Sequence, residues 1–95
     1  MMDKHVIVRG DRSGVFFGVL VKREGQVVTL KNARKLFYWE GAAAVEQIAV
    51  DGVAKPSHCQ FTVTVDEIMV LDTTQILPCT DKAIENIKGV KEWRY

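Results

Sequence analysis

VFFGVLVKREGQVVTLK, residues 15 to 31, decides the fold class. Two β-branched and aromatic runs, VFFGVLVKR and QVVTLK, flank Glu24-Gly25, the kind of short glycine-containing connection that closes a β-hairpin. Phe17, Val19 and Val21 share one face of the first run at period two, and Phe16 and Leu20 share the other. Both faces of this strand are therefore expected to meet protein. Gly18, in mid-strand, suits a bend, a bulge or a close approach by another backbone.

Upstream of the hairpin, HVIVR (residues 5 to 9) alternates as a strand, and GDRSG after it has turn chemistry at Gly10, Asp11, Ser13 and Gly14. Downstream, from Gly41, the period changes: Ala42, Val45, Ile48 and Ala49 fall on one helical face, and Gly52 ends the helix. Lys55-Pro56-Ser57 reads as a loop, and QFTVTV (residues 60 to 65) alternates as a half-buried strand. EIMVLD and TQILP add one bent or two short strands, stopped at Pro78, which has no N–H to donate. Thr80 is the expected N-cap of a last helix, DKAIENIKG. Ala83, Ile84 and Ile87 form its buried side and Gly89 its end. In the tail VKEWRY, Trp93 and Tyr95 are expected to dock on the domain or on a neighbouring subunit.

The order β-β-β-α-β-β-α, joined mainly by short turns, implies an α+β fold. It is a small twisted antiparallel sheet or partly open barrel with two short helices, in a single domain over residues 1–95. Only one strand-to-strand connection is long enough for a helical crossover, which disfavours a doubly wound parallel sheet.

With 95 residues, a formal charge of +1 and 47% apolar composition, the chain is neither disordered nor basic enough for dominant duplex binding. A domain this small has a large surface for its volume, so a homo-oligomer is expected. The apolar runs fall far short of the roughly 20 residues that span a bilayer, and MMDKHVIV lacks a signal-peptide core. A cytoplasmic protein without membrane contact is expected. Cys59 and Cys79 have no metal-ligand or redox spacing and read as free, partly buried thiols.

Chemistry for catalysis is sparse. Ser57-His58-Cys59 invites a nucleophile reading, but neighbours on an extended segment point to opposite faces, so His58 does not activate Cys59 by adjacency. Neither the two His and two Cys nor the carboxylates have ligand spacing. The expectation is no enzyme, no metal and no cofactor. RGDRSGVFFG is the nearest approach to a phosphate loop, yet lacks the Walker ending and precedes a strand. Arg9 and Arg12 nonetheless flank backbone N–H groups in a tight turn, a combination that can hold an anion.

The segment KNARKLFYWEGAAAVEQI (residues 31 to 48) concentrates the remaining possibilities. Lys31, Arg34 and Lys35 supply positive charge, Asn32 an amide able to read a base edge, and Tyr38 and Trp39 rings for stacking on a nucleobase. A helix starting near Gly41 would add its first N–H groups. The plainer reading sends Leu36, Phe37 and one of Tyr38 and Trp39 into the core. Arg12, Lys31, Asn32, Arg34, Tyr38 and Trp39 form the candidate ligand-binding set.

The block NAR-x-L-x-YW-x-GAA, Asn32 to Ala43, with KPSHCQF, ILPCT and a Trp near the end, resembles a family of small tailed-phage proteins catalogued as a domain of unknown function. The resemblance implies phage origin and a compact fold, and no activity. Phage proteins of this size include oligomeric sponges that sequester the cyclic nucleotide signals of bacterial defence such as CBASS. By analogy, a non-enzymatic sponge for a small cyclic nucleotide is the first expectation. A phage interaction or virion accessory protein and a single-stranded nucleic-acid binder are the alternatives.

Overall fold

Strands that are apolar on both faces need two separate covers, and the chain supplies them by curling its sheet and laying helices across it. In this computed structural model, which describes residues 4–93, the elements are β1 (Lys4–Gly10), β2 (Val15–Glu24), β3 (Val27–Tyr38), α1 (Val45–Asp51), β4 (Gln60–Phe61), β5 (Val65–Val70), β6 (Thr73–Pro78) and α2 (Asp81–Lys88). A single 3-10 turn at Pro56–His58 precedes β4. All ladders are antiparallel, in the order β4-β3-β2-β1-β6, with β5 also on β3. β5 and β6 follow one another in sequence yet pair at opposite edges of the sheet, so the sheet wraps toward a barrel without closing. This is the expected α+β architecture. Tyr95 lies outside the described residues.

Alternation along the strands divides the core in two. Val6, Val8, Phe16, Leu30, Ala33 and Val70 fill the inside of the curl. Ile7, Phe17, Leu36, Ile48, Phe61 and Ile87 pack between the sheet and the helices. Phe16 and Phe17 are both buried, on opposite faces, as the period requires. The hairpin turns on Gly25 at φ 61, and β3 continues through the basic and aromatic segment to Tyr38.

Four details depart from the sequence reading, each for a non-local reason. Val21 is 52% exposed, because the β2–β3 register shifts between Leu20 and Lys22 and breaks the period there. QFTVTV is one short strand and the start of another: the Thr62 hydroxyl accepts from the Lys35 N–H at 2.9 Å and interrupts the ladder. Helix α1 begins at Val45, since Gly41, at φ 87, packs its backbone against residues 54–55, where a Cβ would come within 2.7 Å of the Lys55 nitrogen. Phe37 is exposed, because Leu36 takes the inward place beside it.

The last helix forms as expected. Thr80 accepts from the Ala83 N–H at 3.1 Å, and Gly89 is the C-cap. Asn86 then ties α2 to the chain after α1: its Oδ1 accepts from Val53 N–H at 2.8 Å and its Nδ2 donates to the Val53 carbonyl at 3.0 Å. Among the described residues no helix is long and apolar enough to cross a membrane.

The turn at residues 10–14 does hold an anion, and it is internal. Asp72, between β5 and β6, accepts from the N–H groups of Arg12 (2.8 Å) and Ser13 (3.0 Å) and from the Ser13 hydroxyl. These bonds, the Ser13 hydroxyl first, hold the Asp72 carboxyl below the usual carboxylate range. A depressed folded-state pKa contributes stability above the unfolded value and loses it as the pH falls through the folded one. Asp72→Asn is therefore expected to melt at a lower temperature than wild type at pH 7, the gap narrowing as the pH falls below about 4. Melting curves across that interval check this, and a gap independent of pH contradicts it.

Candidate functional site

The six candidate residues do not share one site. Arg12 and Trp39 line a shallow depression with Arg9 and residues 43–46, where Trp39 is half-buried against the helix-side core. Asp72 already occupies the N–H groups of that turn, and the Ala43 N–H donates to Gln47 Oε1 at 2.8 Å, so the anion donors expected there are satisfied within the chain. Tyr38 faces solvent, its hydroxyl donating to Glu40 Oε2 at 2.7 Å, while His58 Nδ1 lies 3.4 Å from Glu40 Oε1. Tyr38 and then His58 hold the Glu40 carboxyl below its ordinary pKa. Lys31 stands exposed on β3 opposite Glu67 of β5.

Asn32 and Arg34 come together in a cleft of about 400 Å³, lined also by His5, Phe17, Val19, Thr64 and Lys88. The sequence brings them there through a defect in β3. Asn32 has φ 48, the left-handed region that favours glycine, and the register with β2 shifts between Phe17 and Val19. Val28 and Leu30 point into the curl, so strict alternation would send Arg34 into the same apolar interior. The extra residue puts Ala33 there instead, and Arg34 joins Leu36 on the helix side. Gly18 makes room for the displaced backbone: a Cβ there would sit 2.9 Å from the Ala33 Cβ and 3.1 Å from the Lys31 carbonyl oxygen.

Arg34 is only 5% exposed. Its Nε donates to the Thr62 carbonyl (3.2 Å) and its Nη1 to the Ile87 carbonyl at the end of α2 (3.1 Å), and the guanidinium lies 4.7 Å from the Phe61 ring centroid. Nη2 is buried and has no hydrogen-bond partner among the described residues. Burial lowers the guanidinium's pKa from its ordinary value, opposed by the charge of Glu92, and the group stays protonated. Lys88 adds a second cation, Asn32 and Thr64 add neutral polar groups, and His5 stacks on Phe17 with ring centroids 5.5 Å apart to form an aromatic wall. Such a site can hold a small anion carrying a flat ring. His5, Phe17, Thr64 and Lys88 escaped the sequence reading because they come from four places distant in sequence, with no spacing to signal the convergence.

The two thiols lie outside the cleft. Cys59 is buried, its sulfur within 3.5 Å of backbone groups of Glu40 and Lys55. Burial pushes the Cys79 thiol up to about 11, well away from the thiolate a nucleophile needs. Among the described residues no three His, Cys, Asp or Glu side chains converge as a metal site requires.

The role of Asn32 in the backbone is separable from the role of its amide. Asn32→Gly is expected to keep or slightly raise stability, whereas Asn32→Ala loses about 1 kcal/mol because a Cβ without a helping amide disfavours positive φ. Urea unfolding of both variants checks this, and equal stability of the two contradicts it.

Comparison with curated proteins and with solved structures returns no match. One family model, described as a domain of unknown function (DUF6948), matches residues 3–87. The matched span includes the Asn32 to Ala43 block and the strand defect that turns Arg34 toward the helices. Spanning most of the 95-residue chain, this match makes the protein a member of the DUF6948 family.

Proposed function

We propose that this protein binds a small phosphate-bearing nucleotide without transforming it, in the cleft between the β2–β3 bulge and the end of α2. The observation that carries the reading is Arg34: a guanidinium 5% exposed, with Nη2 unpartnered among the described residues, at a cleft that also holds Lys88 and an aromatic wall. A buried donor left unsatisfied costs about 1–3 kcal/mol, a cost that an acceptor oxygen of a ligand would remove. The polar side chains lining the cleft (His5, Asn32, Arg34, Thr64 and Lys88) can all donate hydrogen bonds, which suits an anion. A volume of about 400 Å³ lies in the range of small-molecule sites. In this reading Asn32 contacts a base edge and the His5–Phe17 pair stacks on the base.

The finer setting is a phage protein that sequesters a cyclic nucleotide signal of bacterial defence. It rests on the resemblance of the Asn32 to Ala43 block to small tailed-phage proteins and on the ligand chemistry above. The alternative of an interaction protein draws on a different observation. β5 is an edge strand, and Val65 and Met69 on it, with Leu71 just after it, are exposed, Met69 by 56% and Leu71 by 66%. Exposed apolar groups along an unpaired edge suit a second copy of the chain or a protein partner.

Calorimetric titration with cyclic mononucleotides and cyclic dinucleotides tests the first reading. At 100 times its dissociation constant a ligand is expected to add about 2.7 kcal/mol of stability. Lys88→Ala, at an exposed position, is expected to fold normally and bind about tenfold more weakly, a loss of about 1.4 kcal/mol. No binding by any member of the series removes the proposal. For the second, sedimentation of wild type and Met69→Lys at matched concentrations is expected to show an oligomer that the substitution dissociates. A monomeric wild type removes the self-association form.

A further inference from the structure

We infer that two copies of the chain join by antiparallel pairing of their β5 edges, with Met69 on the twofold axis. The inference rests on the self-association reading and gives it a geometry. Among the described residues β4, β5 and β6 each pair with a single strand. β4 has only two residues, and Phe61 in it also meets Glu92 in a parallel bridge. β6 ends on Pro78, which has no N–H to donate, and the N–H of its first residue, Thr73, is bonded to the Gln26 carbonyl at 3.2 Å. β5 has six residues and pairs with β3 in one register throughout. It lacks the proline, lysine and bulge that commonly blunt an edge.

Charge decides both the occupant and the register. Asp66 and Glu67 come early in the strand, and the exposed Met69 and Leu71 come after them, so the edge has an acidic half and an apolar half. Glu67 stands opposite Lys31 of its own chain, so its charge does not call for a basic partner. Alternate residues of an edge strand point their backbone groups outward, so twofold pairing must centre on a residue to match them in both copies. Centred on Glu67, it sets two carboxylates face to face. Centred on Ile68, it leaves them diagonal neighbours about 7–8 Å apart. Centred on Val70, the last residue of β5, it pairs little of the strand. Centred on Met69, it sets Met69 against its own copy and Leu71 against the partner's Glu67, with the acidic halves at opposite ends. In this register the Met69→Lys substitution puts two ammonium groups face to face. None of residues 67–71 lines the Arg34 cleft, so pairing and ligand binding use separate surfaces.

Cysteines introduced singly into the full-length chain test the register, because directly opposite residues on paired strands have Cα atoms about 4.5–5.5 Å apart, within disulfide reach. Met69→Cys is expected to give a covalent dimer on a non-reducing gel, under mild oxidation or with a short thiol-to-thiol cross-linker. Glu67→Cys and Leu71→Cys are each expected to stay unlinked alone and to link to one another when mixed. All three positions are exposed, so each variant is expected to fold, and wild type, with Cys59 buried and Cys79 partly so, is the control. Sedimentation of wild type separates the outcomes. A wild-type dimer in which Met69→Cys fails to link, or in which Glu67→Cys or Leu71→Cys links alone, overturns this pairing and leaves self-association intact. A monomeric wild type overturns both.

Discussion

The structure turns on the burial of one guanidinium. Arg34 reaches from the central strand under the end of α2, bonding the Ile87 carbonyl, the Thr62 carbonyl and the face of the Phe61 ring. Taking a charge out of water is costly unless it is met by hydrogen bonds. Here the carbonyl at the end of α2 also bears the negative end of a helix dipole, which favours a cation. The same contacts hold three separate parts of the chain: β3, the break after β4, and α2. Removing Arg34 would leave two carbonyls without their charged donors, so a structural role is secure whatever the ligand. What a purely structural role leaves unexplained is Nη2, which has no hydrogen-bond partner among the described residues.

That guanidinium reaches its place only because β3 carries one residue too many. The left-handed Asn32 resets the alternation between Leu30 and Arg34, and Gly18 of β2, having no Cβ, leaves the room that the displaced backbone fills. Local backbone cost at Asn32 is thereby exchanged for a charged side chain facing the helices instead of the apolar curl. The bulge at Val21 relieves the opposite strand a few residues later, so β2 and β3 each contribute one extra residue and regain a common register by the hairpin turn.

What could be read from sequence follows the range of the interactions involved. The hairpin at Gly25, the Thr80 cap and the Gly89 stop of α2 depend on residues within a few positions of each other, and all three form as their chemistry dictates. Burial of both Phe16 and Phe17 follows from period two alone. Val21, the late start of α1 and the interruption at Thr62 depend on what a distant segment does: a register shift, the packing of Gly41 on residues 54–55, and a Lys35 N–H captured by a side chain. The candidate site was legible in the same partial way. Asn32 and Arg34 stand out as polar groups in an apolar strand, but their grouping with Tyr38 and Trp39 assumed that sequence neighbours share a surface. The strand sends Tyr38 to solvent, Trp39 against the core, and Arg34 to a cleft completed by His5, Thr64 and Lys88.

A near-neutral protein with one under-compensated buried cation is suited to a different ligand from a protein with a basic stripe. A long polyanion is held by many exposed contacts, each releasing counterions, and its binding weakens steeply with salt. A formal charge of +1 spread over the whole chain supplies little of that attraction. In the proposed reading Arg34 acts by another route: it is already desolvated and fixed by two carbonyls, so a small anion meeting it requires little further ordering of the protein. Charges in a partly buried site are also screened much less than exposed ones. The fold itself has engaged Arg34 Nε and Nη1 with carbonyls before any ligand arrives, leaving Nη2 without a hydrogen-bond partner among the described residues.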